Sequence, residues 1–284
     1  LNPAGRFVTL GLTETGDGMD RRLALVTGAS AGIGAALART LAARGYDLAL
    51  TARRAERLEA LADEVRLRFG VQALVLPEDL ADPAAPARLL AAIEAAGRDV
   101  DALVNNAGYG LPGVFVETGW QEQADFLQVL LHAPTELTHR VLPGMTERRF
   151  GRILNVASLA GLLPGARGHT LYAATKAYLV RFTQSLHLET RPLGVHVSAL
   201  CPGFTWSEFH DVNGTRDLTR QATPDWLWMG ADEVAEAGVE ALEANRPVCV
   251  PGAPNKAIAA FSRMIPEDWA LALMESQGGR FRKP

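Results

Sequence analysis

The sequence predicts a doubly wound α/β domain: a parallel sheet of about seven strands with helices on both faces. Three observations carry that expectation. Short apolar runs alternate along the chain with longer stretches of helical spacing. The runs show no clean polar/apolar alternation, as expected of strands buried on both faces. The connections between runs and helical stretches are short, which suits repeated strand–helix–strand crossovers.

Taken in order, the strands are expected at 23–26, 47–51, 72–76, 102–105, 152–156, 196–200 and 247–250. The helices are expected at 33–44, 55–69, 83–96, 121–148, 171–190 and 231–244, all rich in Ala, Leu and Glu. Right-handed crossovers put the ligand crevice at the carboxyl ends of the strands. No repeat, linker or low-complexity tract interrupts the pattern, so 21–284 reads as one domain behind an irregular leader at 1–20. Residues 1–18 lack the positive start and apolar middle of a signal peptide, and Met19 is the expected natural start. Residues 204–230 break the rhythm and hold Phe204, Trp206, Phe209, Trp226 and Trp228. A segment this long serves either as a lid over an apolar substrate or as a flap whose rings pack it onto the body. From Ala253 onward, helical spacing around Trp269, Leu271, Leu273 and Met274 suits packing on the body or on a second subunit.

Composition removes several function classes. A chain of 284 residues buries about three quarters of its unfolded surface. A hydrophobic content of 48% and a charged content of 21% exclude general disorder. The formal net charge of -4, with no long basic run, argues against a nucleic-acid partner. No segment reaches the roughly 18 uncharged apolar residues of a membrane span. Cys201 and Cys249 fall in apolar runs and read as reduced core thiols, which fits a cytoplasmic location. The six histidines are scattered, so no metal site is expected.

Three groups of residues carry chemistry. The first strand runs into Thr27-Gly28-Ala29-Ser30-Ala31-Gly32-Ile33-Gly34 and then a helix. This arrangement lets the backbone approach a pyrophosphate and offers it the free N–H groups of a helix start. After the second strand stand Arg53 and Arg54, where a sheet that binds NAD usually carries an acid for the ribose hydroxyls. Arginine there suits the extra phosphate of NADP, so NADP(H) is expected over NAD(H). Arg53 is the first candidate, with Ser30 as a second ligand and Arg54 as a helper. Tyr172 and Lys176 stand four residues apart on a predicted helix, hence on one face. A phenol with its ordinary pKa of about 10 is a poor base at neutral pH. A nearby ammonium lowers that value, and about 3 units corresponds to roughly 4 kcal/mol of differential stabilisation. Tyr172 then donates or accepts the proton of a carbonyl/alcohol pair. Ser158, at the carboxyl end of the fifth strand, is placed to hydrogen-bond the substrate oxygen.

From about Arg22 to Val250 the chain resembles the short-chain dehydrogenase/reductase family. The resemblance rests on the glycine motif at 27–34, Asp79-Leu80, Asn105-Asn106-Ala107-Gly108, Ser158 with Tyr172 and Lys176, and Pro202-Gly203, all in family order. It implies a seven-stranded Rossmann sheet, hydride transfer to or from a small-molecule carbonyl/alcohol, and a homodimer or homotetramer. By the same resemblance Asp79 meets the adenine and Asn106 lies beside the cofactor. Lys176 also holds the nicotinamide ribose, and the backbone near Thr205 binds the carboxamide. Ser207 stands where the family often has a threonine. One position departs from the family. Thirteen residues before Pro143, where an asparagine commonly helps hold a proton-relay water, the chain has Leu130. That departure motivates a second reading, a catalytically weak cofactor-binding protein acting as a redox sensor or interaction partner. A family-like enzyme of dehydration or epimerisation is a third. Tyr109, Leu111, Leu163, His169 and the 204–229 segment are the expected pocket walls, and they suggest a moderately apolar substrate.

Overall fold

Leu23–Thr27 forms the first strand, β1, and all five of its residues are buried. The computed structural model describes residues 21–111, 113–208 and 223–278. β1 is followed by α1 (Gly32–Ala43), β2 (Asp47–Thr51), α2 (Ala55–Phe69), β3 (Ala73–Val75), α3 (Ala85–Ala95) and β4 (Val100–Asn105). Then come α4 (Trp120–Leu127), α5 (Ala133–Glu147), β5 (Gly151–Val156), α6 (Thr170–Thr190) and β6 (Val195–Leu200). A short strand β7 (Thr205–Trp206) precedes β8 (Met229–Gly230), α7 (Ala231–Glu243), β9 (Val248–Cys249), α8 (Ala253–Ser262) and α9 (Glu267–Gly278).

Seven strands form one parallel sheet in the order β3-β2-β1-β4-β5-β6-β9. Successive residues of β1 point to opposite faces. Ala24 and Val26 join a core with α1, α2 and α7, while Leu23 and Leu25 join a second core with α3, α4, α5 and the end of α6. This explains the absence of alternation in the sequence: both faces of each central strand need apolar residues. The strand order reverses between β1 and β4, and the crevice opens at their carboxyl ends.

The structure changes or refines the sequence expectation in three places. The helix expected at 121–148 is two helices joined by one π turn over Gln128–His132. Pro134 has no N–H to give the carbonyl four residues earlier, that of Leu130, so the α ladder cannot run through. The N–H of Ala133 bonds Gln128 O instead, and the Thr135 hydroxyl donates to Leu131 O at 2.6 Å. The 204–230 segment is closed at its base by β7 pairing with β8 in parallel. Trp206 stacks on Trp228 at 4.3 Å between ring centroids, and Phe204 lies 5.4 Å from Trp228. Phe209 and the middle of the expected lid lie outside the described residues. Finally, the C-terminal part holds two helices, and Trp269, Leu271 and Leu273 on α9 are exposed while Ala270 is buried. Cys201 is buried and Cys249 half-buried, and both are free thiols. No helix among the described residues is long and apolar enough to cross a membrane.

The sheet also carries a buried polar bridge. Asn105 and Asn155 are register partners on β4 and β5. Asn105 Nδ2 donates to Asn155 Oδ1 at 2.8 Å and to Thr138 Oγ1 at 3.1 Å, and Asn155 Nδ2 donates to Thr183 Oγ1 at 2.8 Å. These bonds tie the sheet to α5 and α6. Replacing Asn155 with Leu strands the Thr183 hydroxyl and one Asn105 bond in the core. The expected cost is about 3 kcal/mol of stability, read as a lower urea midpoint with an unchanged m-value. A midpoint unmoved by the substitution contradicts the role given to this bridge.

Candidate active site

The glycine turn after β1 is held by the end of β4 and the two residues that follow it. Asn106 Nδ2 donates to Thr27 O at 3.0 Å and to Gly28 O at 3.2 Å. The Thr27 hydroxyl accepts the N–H groups of Asn106 (2.9 Å) and Ala107 (3.0 Å) and donates to Val104 O. Helix α1 begins within this turn, so the chain doubles back closely. A Cβ on Gly34 would stand 2.2 Å from Gly28 O and 2.4 Å from Asn106 Nδ2, so only glycine fits. The N-cap of α1 is Ala31, in extended conformation and with no side-chain cap. The first-turn N–H groups therefore have no cap from their own N-cap residue, and such a helix start is the donor set for an anion. Ile33, half-buried, anchors this end of α1 to the core. These features fit the pyrophosphate of a dinucleotide.

The arginines expected to read the adenosine phosphate stand at the end of β2 and the start of α2. Arg53 is exposed and, among the described residues, has neither ion pair nor hydrogen bond. It is near enough to Tyr109 to pull that phenol down against the burial that raises it. Arg54 Nη2 donates to Ser30 Oγ at 3.0 Å, bringing together two residues singled out in the sequence. Asp79 is exposed, and its Oδ1 accepts the Ala81 N–H, shaping the turn after β3. The Leu80 side chain is buried in the core, so only its backbone is offered to a ligand.

Ser158, Tyr172 and Lys176 gather at the ends of β5 and β6. Ser158 caps a short 3-10 turn, Leu159–Leu162, with its Oγ accepting the Ala160 N–H at 3.2 Å. Pro202 O accepts the N–H of Leu159 at 2.8 Å, which fastens this turn to the end of β6. Thr205 is buried, its hydroxyl bonded to Gly203 O. The Ser158 hydroxyl is near enough to Tyr172 to stabilise its ionised phenol. Lys176 is buried; its Nζ donates to Val156 O at 2.7 Å and lies 5.8 Å from the centre of the Tyr172 ring. The His169 ring meets Tyr172 edge-on at 6.4 Å, and Tyr109 meets Phe126 at 5.4 Å.

The electrostatics differ from the sequence expectation. Burial pushes the Tyr172 phenol up, and the Ser158 hydroxyl pulls it only partly back. Burial also brings the Lys176 ammonium down to about 8, against a small opposing pull from Cys201. Desolvation of both groups outweighs the attraction expected between phenolate and ammonium. Leu130, within the π turn, is buried in the core, and Gly108 packs over its side chain. It offers no polar side-chain atom where the family commonly has an amide.

Sequence reading missed two contributors. Asn255, buried on α8, crowds the Pro202-Gly203 turn so closely that a Cβ on Gly203 would lie 2.4 Å from its Oδ1. Glu208 pairs with both Arg54 and Arg57, 154 and 151 residues away in sequence. Neither has a local pattern; both are placed only by the sheet order.

A parallel sheet with an anion-binding glycine turn at its reversal point, and a Ser–Tyr–Lys group at the ends of the next strands, defines a nicotinamide-dependent oxidoreductase. The family described as short chain dehydrogenase matches residues 22–216 of the chain. The chain is 32% identical over 239 residues to the NADP-dependent 3-hydroxy acid dehydrogenase of Salmonella typhi, covering 78% of this chain and 93% of that protein. It superposes with a TM-score of 0.73 on a short-chain dehydrogenase from Sphingobium yanoikuyae in complex with NADPH, at 32% identity, covering 87% of this chain and 97% of the other. A similar match, TM-score 0.71 at 29% identity over 88% and 96% of the two chains, is the bulky-bulky ketone specific alcohol dehydrogenase from Comamonas testosteroni. The chain belongs to the short-chain dehydrogenase/reductase family and is an oxidoreductase of the Rossmann type.

The depressed lysine has a consequence for stability. Unfolded, Lys176 titrates near 10.5, whereas folded it titrates near 8. Between those values the unfolded chain binds more protons, so stability rises with pH; below about pH 8 the cost of the buried charge is fully present. Urea melts of the cofactor-free protein from pH 7 to 10.5 should therefore show wild type gaining on Lys176→Met by roughly 3 kcal/mol at most. Parallel curves contradict the depressed value.

Proposed function

We propose that the protein transfers a hydride between NADP(H) and a moderately apolar carbonyl/alcohol pair, with Tyr172 as general acid/base. The observation that carries this reading is the buried Lys176, its Nζ bonded to Val156 O and 5.8 Å from the centre of the Tyr172 ring, with the Ser158 hydroxyl acting on the same phenol. When bound, the nicotinamide supplies or accepts the hydride at the substrate carbon. Everything else falls to the chain. Ser158 Oγ accepts the Ala160 N–H, which leaves its one O–H to donate, and a bound substrate oxygen would take that donor over from the Tyr172 oxygen. That O–H orients the substrate oxygen and meets the charge that develops on it. The Tyr172 phenol, held neutral by burial, carries the proton this oxygen needs in reduction. An alkoxide is far more basic than a phenolate, so the transfer runs downhill. In oxidation the phenol must ionise first, and Lys176 is the buried cation nearest its ring among the described residues.

The cofactor preference rests on Arg53, an exposed cation with no ion pair or hydrogen bond among the described residues, next in sequence to Arg54, which holds Ser30. The NADP-dependent relative and the NADPH complex support the same choice. For the substrate, Tyr109, His169 and the Phe204–Trp228–Trp206 stack supply apolar and aromatic walls. The free thiols support a reducing, cytoplasmic setting. The exposed apolar residues of α9 support burial in a homodimer or homotetramer.

Loss of reduced-nicotinamide absorbance over a panel of aldehydes and ketones tests the reaction. Tyr172→Phe should lower kcat about 10²–10⁴-fold; unchanged turnover with a good substrate sinks the role of Tyr172. Arg53→Ala should raise KM for NADPH at least tenfold, on the order of 1.4 kcal/mol, with little change for NADH. A preference for NADH in wild type leaves the enzyme intact but overturns the cofactor choice. One observation, the apolar Leu130, favours a second reading in which the protein binds cofactor tightly and turns over weakly. Tight NADPH binding without turnover across the panel supports that reading, and robust turnover removes it.

A further inference from the structure

Two of the three arginines near the end of β2 already hold an anion. Arg54 Nη1 donates to Glu208 Oε2 at 3.0 Å, and Arg57 Nη1 pairs with the other oxygen, Oε1. The remaining arm of Arg54 holds Ser30 Oγ at 3.0 Å. A carboxylate shared by two guanidinium groups beside a hydroxyl occupies the donor set that a phosphate monoester would use. The backbone brings it there. Ser207 lies against the glycine turn, where a Cβ on Gly32 would stand 2.9 Å from Ser207 Cβ. Glu208 then reaches from beyond β7, over that turn, to the start of α2. An acid does stand beside this crevice, but it arrives from the far half of the chain rather than from the end of β2.

We propose that Glu208 is a cofactor-specificity residue, an internal competitor for the 2′-phosphate of NADP(H). By occupying Arg54 and Arg57 it leaves Arg53 as the one cation of the three with no ion pair among the described residues. A 2′-phosphate must therefore displace the carboxylate before it gains the other two. The side chains are 39–47% exposed, and ion pairs in such surroundings are weak and screened by salt, so displacement by a doubly charged group is feasible. Glu208 thus lowers the margin by which NADP(H) is favoured over NAD(H). This inference rests on the reading that the Ser30–Arg53–Arg54 corner receives the 2′-phosphate.

Calorimetric titration of the full chain with adenosine 2′,5′-bisphosphate, ADP, NADPH and NADH tests it without requiring turnover. Glu208→Gln should tighten the two 2′-phosphorylated ligands about three- to tenfold and leave ADP and NADH within about twofold. The tightening should shrink as salt rises. Equal tightening of all four ligands reduces Glu208 to a general charge effect and overturns the proposal. Unchanged or weaker binding of the phosphorylated pair overturns it as well. So does a loss of NADH affinity, which would make Glu208 a ribose ligand. Arg53→Ala in the same titrations separates this inference from the reading beneath it. If Arg53→Ala weakens NADPH selectively while Glu208→Gln changes nothing, the NADP(H) reading stands and the role of Glu208 falls. If neither variant discriminates between the phosphorylated and unphosphorylated ligands, both fall.

Discussion

The juncture of the ends of β1 and β4, neighbouring parallel strands at which the strand order reverses, is the constraint on which the site depends. There the glycine turn must come close to Asn106, whose amide bonds the carbonyls of Thr27 and Gly28 while Thr27 Oγ1 takes two backbone N–H groups of the β4 exit. This set of bonds uses up the polar groups that two strand ends would otherwise leave unpaired. It also fixes where α1 begins, and so where its free N–H groups point. The arginines that follow β2 on one side and Ser158 after β5 on the other are positioned relative to that clamp by the register of the parallel sheet. Helix α6, packed on the turn after Ser158, brings Tyr172 and Lys176 to it. A residue larger than glycine at Gly34 would force the clamp apart.

The Ser–Tyr–Lys group shows how burial shapes chemistry. Placing Lys176 under the helix and within reach of Val156 O removes it from water, and its ammonium becomes easier to discharge. The same burial makes the Tyr172 phenol reluctant to ionise. In the cofactor-free protein the group is therefore set up to give a proton rather than to take one. Under the proposed mechanism Ser158, held by the Ala160 N–H, would fix the oxygen position toward which that proton moves.

Much of this was legible in the sequence because it is local. The seven sheet strands lie at the seven apolar runs, since strands buried on both faces cannot alternate. Tyr172 and Lys176 share a helix face by spacing alone, and Gly28, Gly32 and Gly34 mark a turn that follows directly on a strand. What stayed hidden depends on tertiary balance. Apolar periodicity runs unbroken through 121–148, so it does not reveal that Pro134 removes a donor and resets the ladder by a π turn. The β7–β8 ladder joins two-residue segments too short to leave a pattern. Glu208 meets Arg54 and Arg57 across some 150 residues, and the direction of the Tyr172 shift is set by burial that no spacing encodes.

Following the label from NADPH deuterated at the transferable position of C4 is the most direct test of the central claim, that Tyr172-assisted hydride transfer reduces a carbonyl in this crevice. The account predicts deuterium on the carbinol carbon of the alcohol formed from a ketone the wild-type enzyme accepts, with the label nearly absent from the product of Tyr172→Phe in the same time. Alcohol that forms without deuterium on that carbon, or label transferred just as fast by Tyr172→Phe, would contradict it.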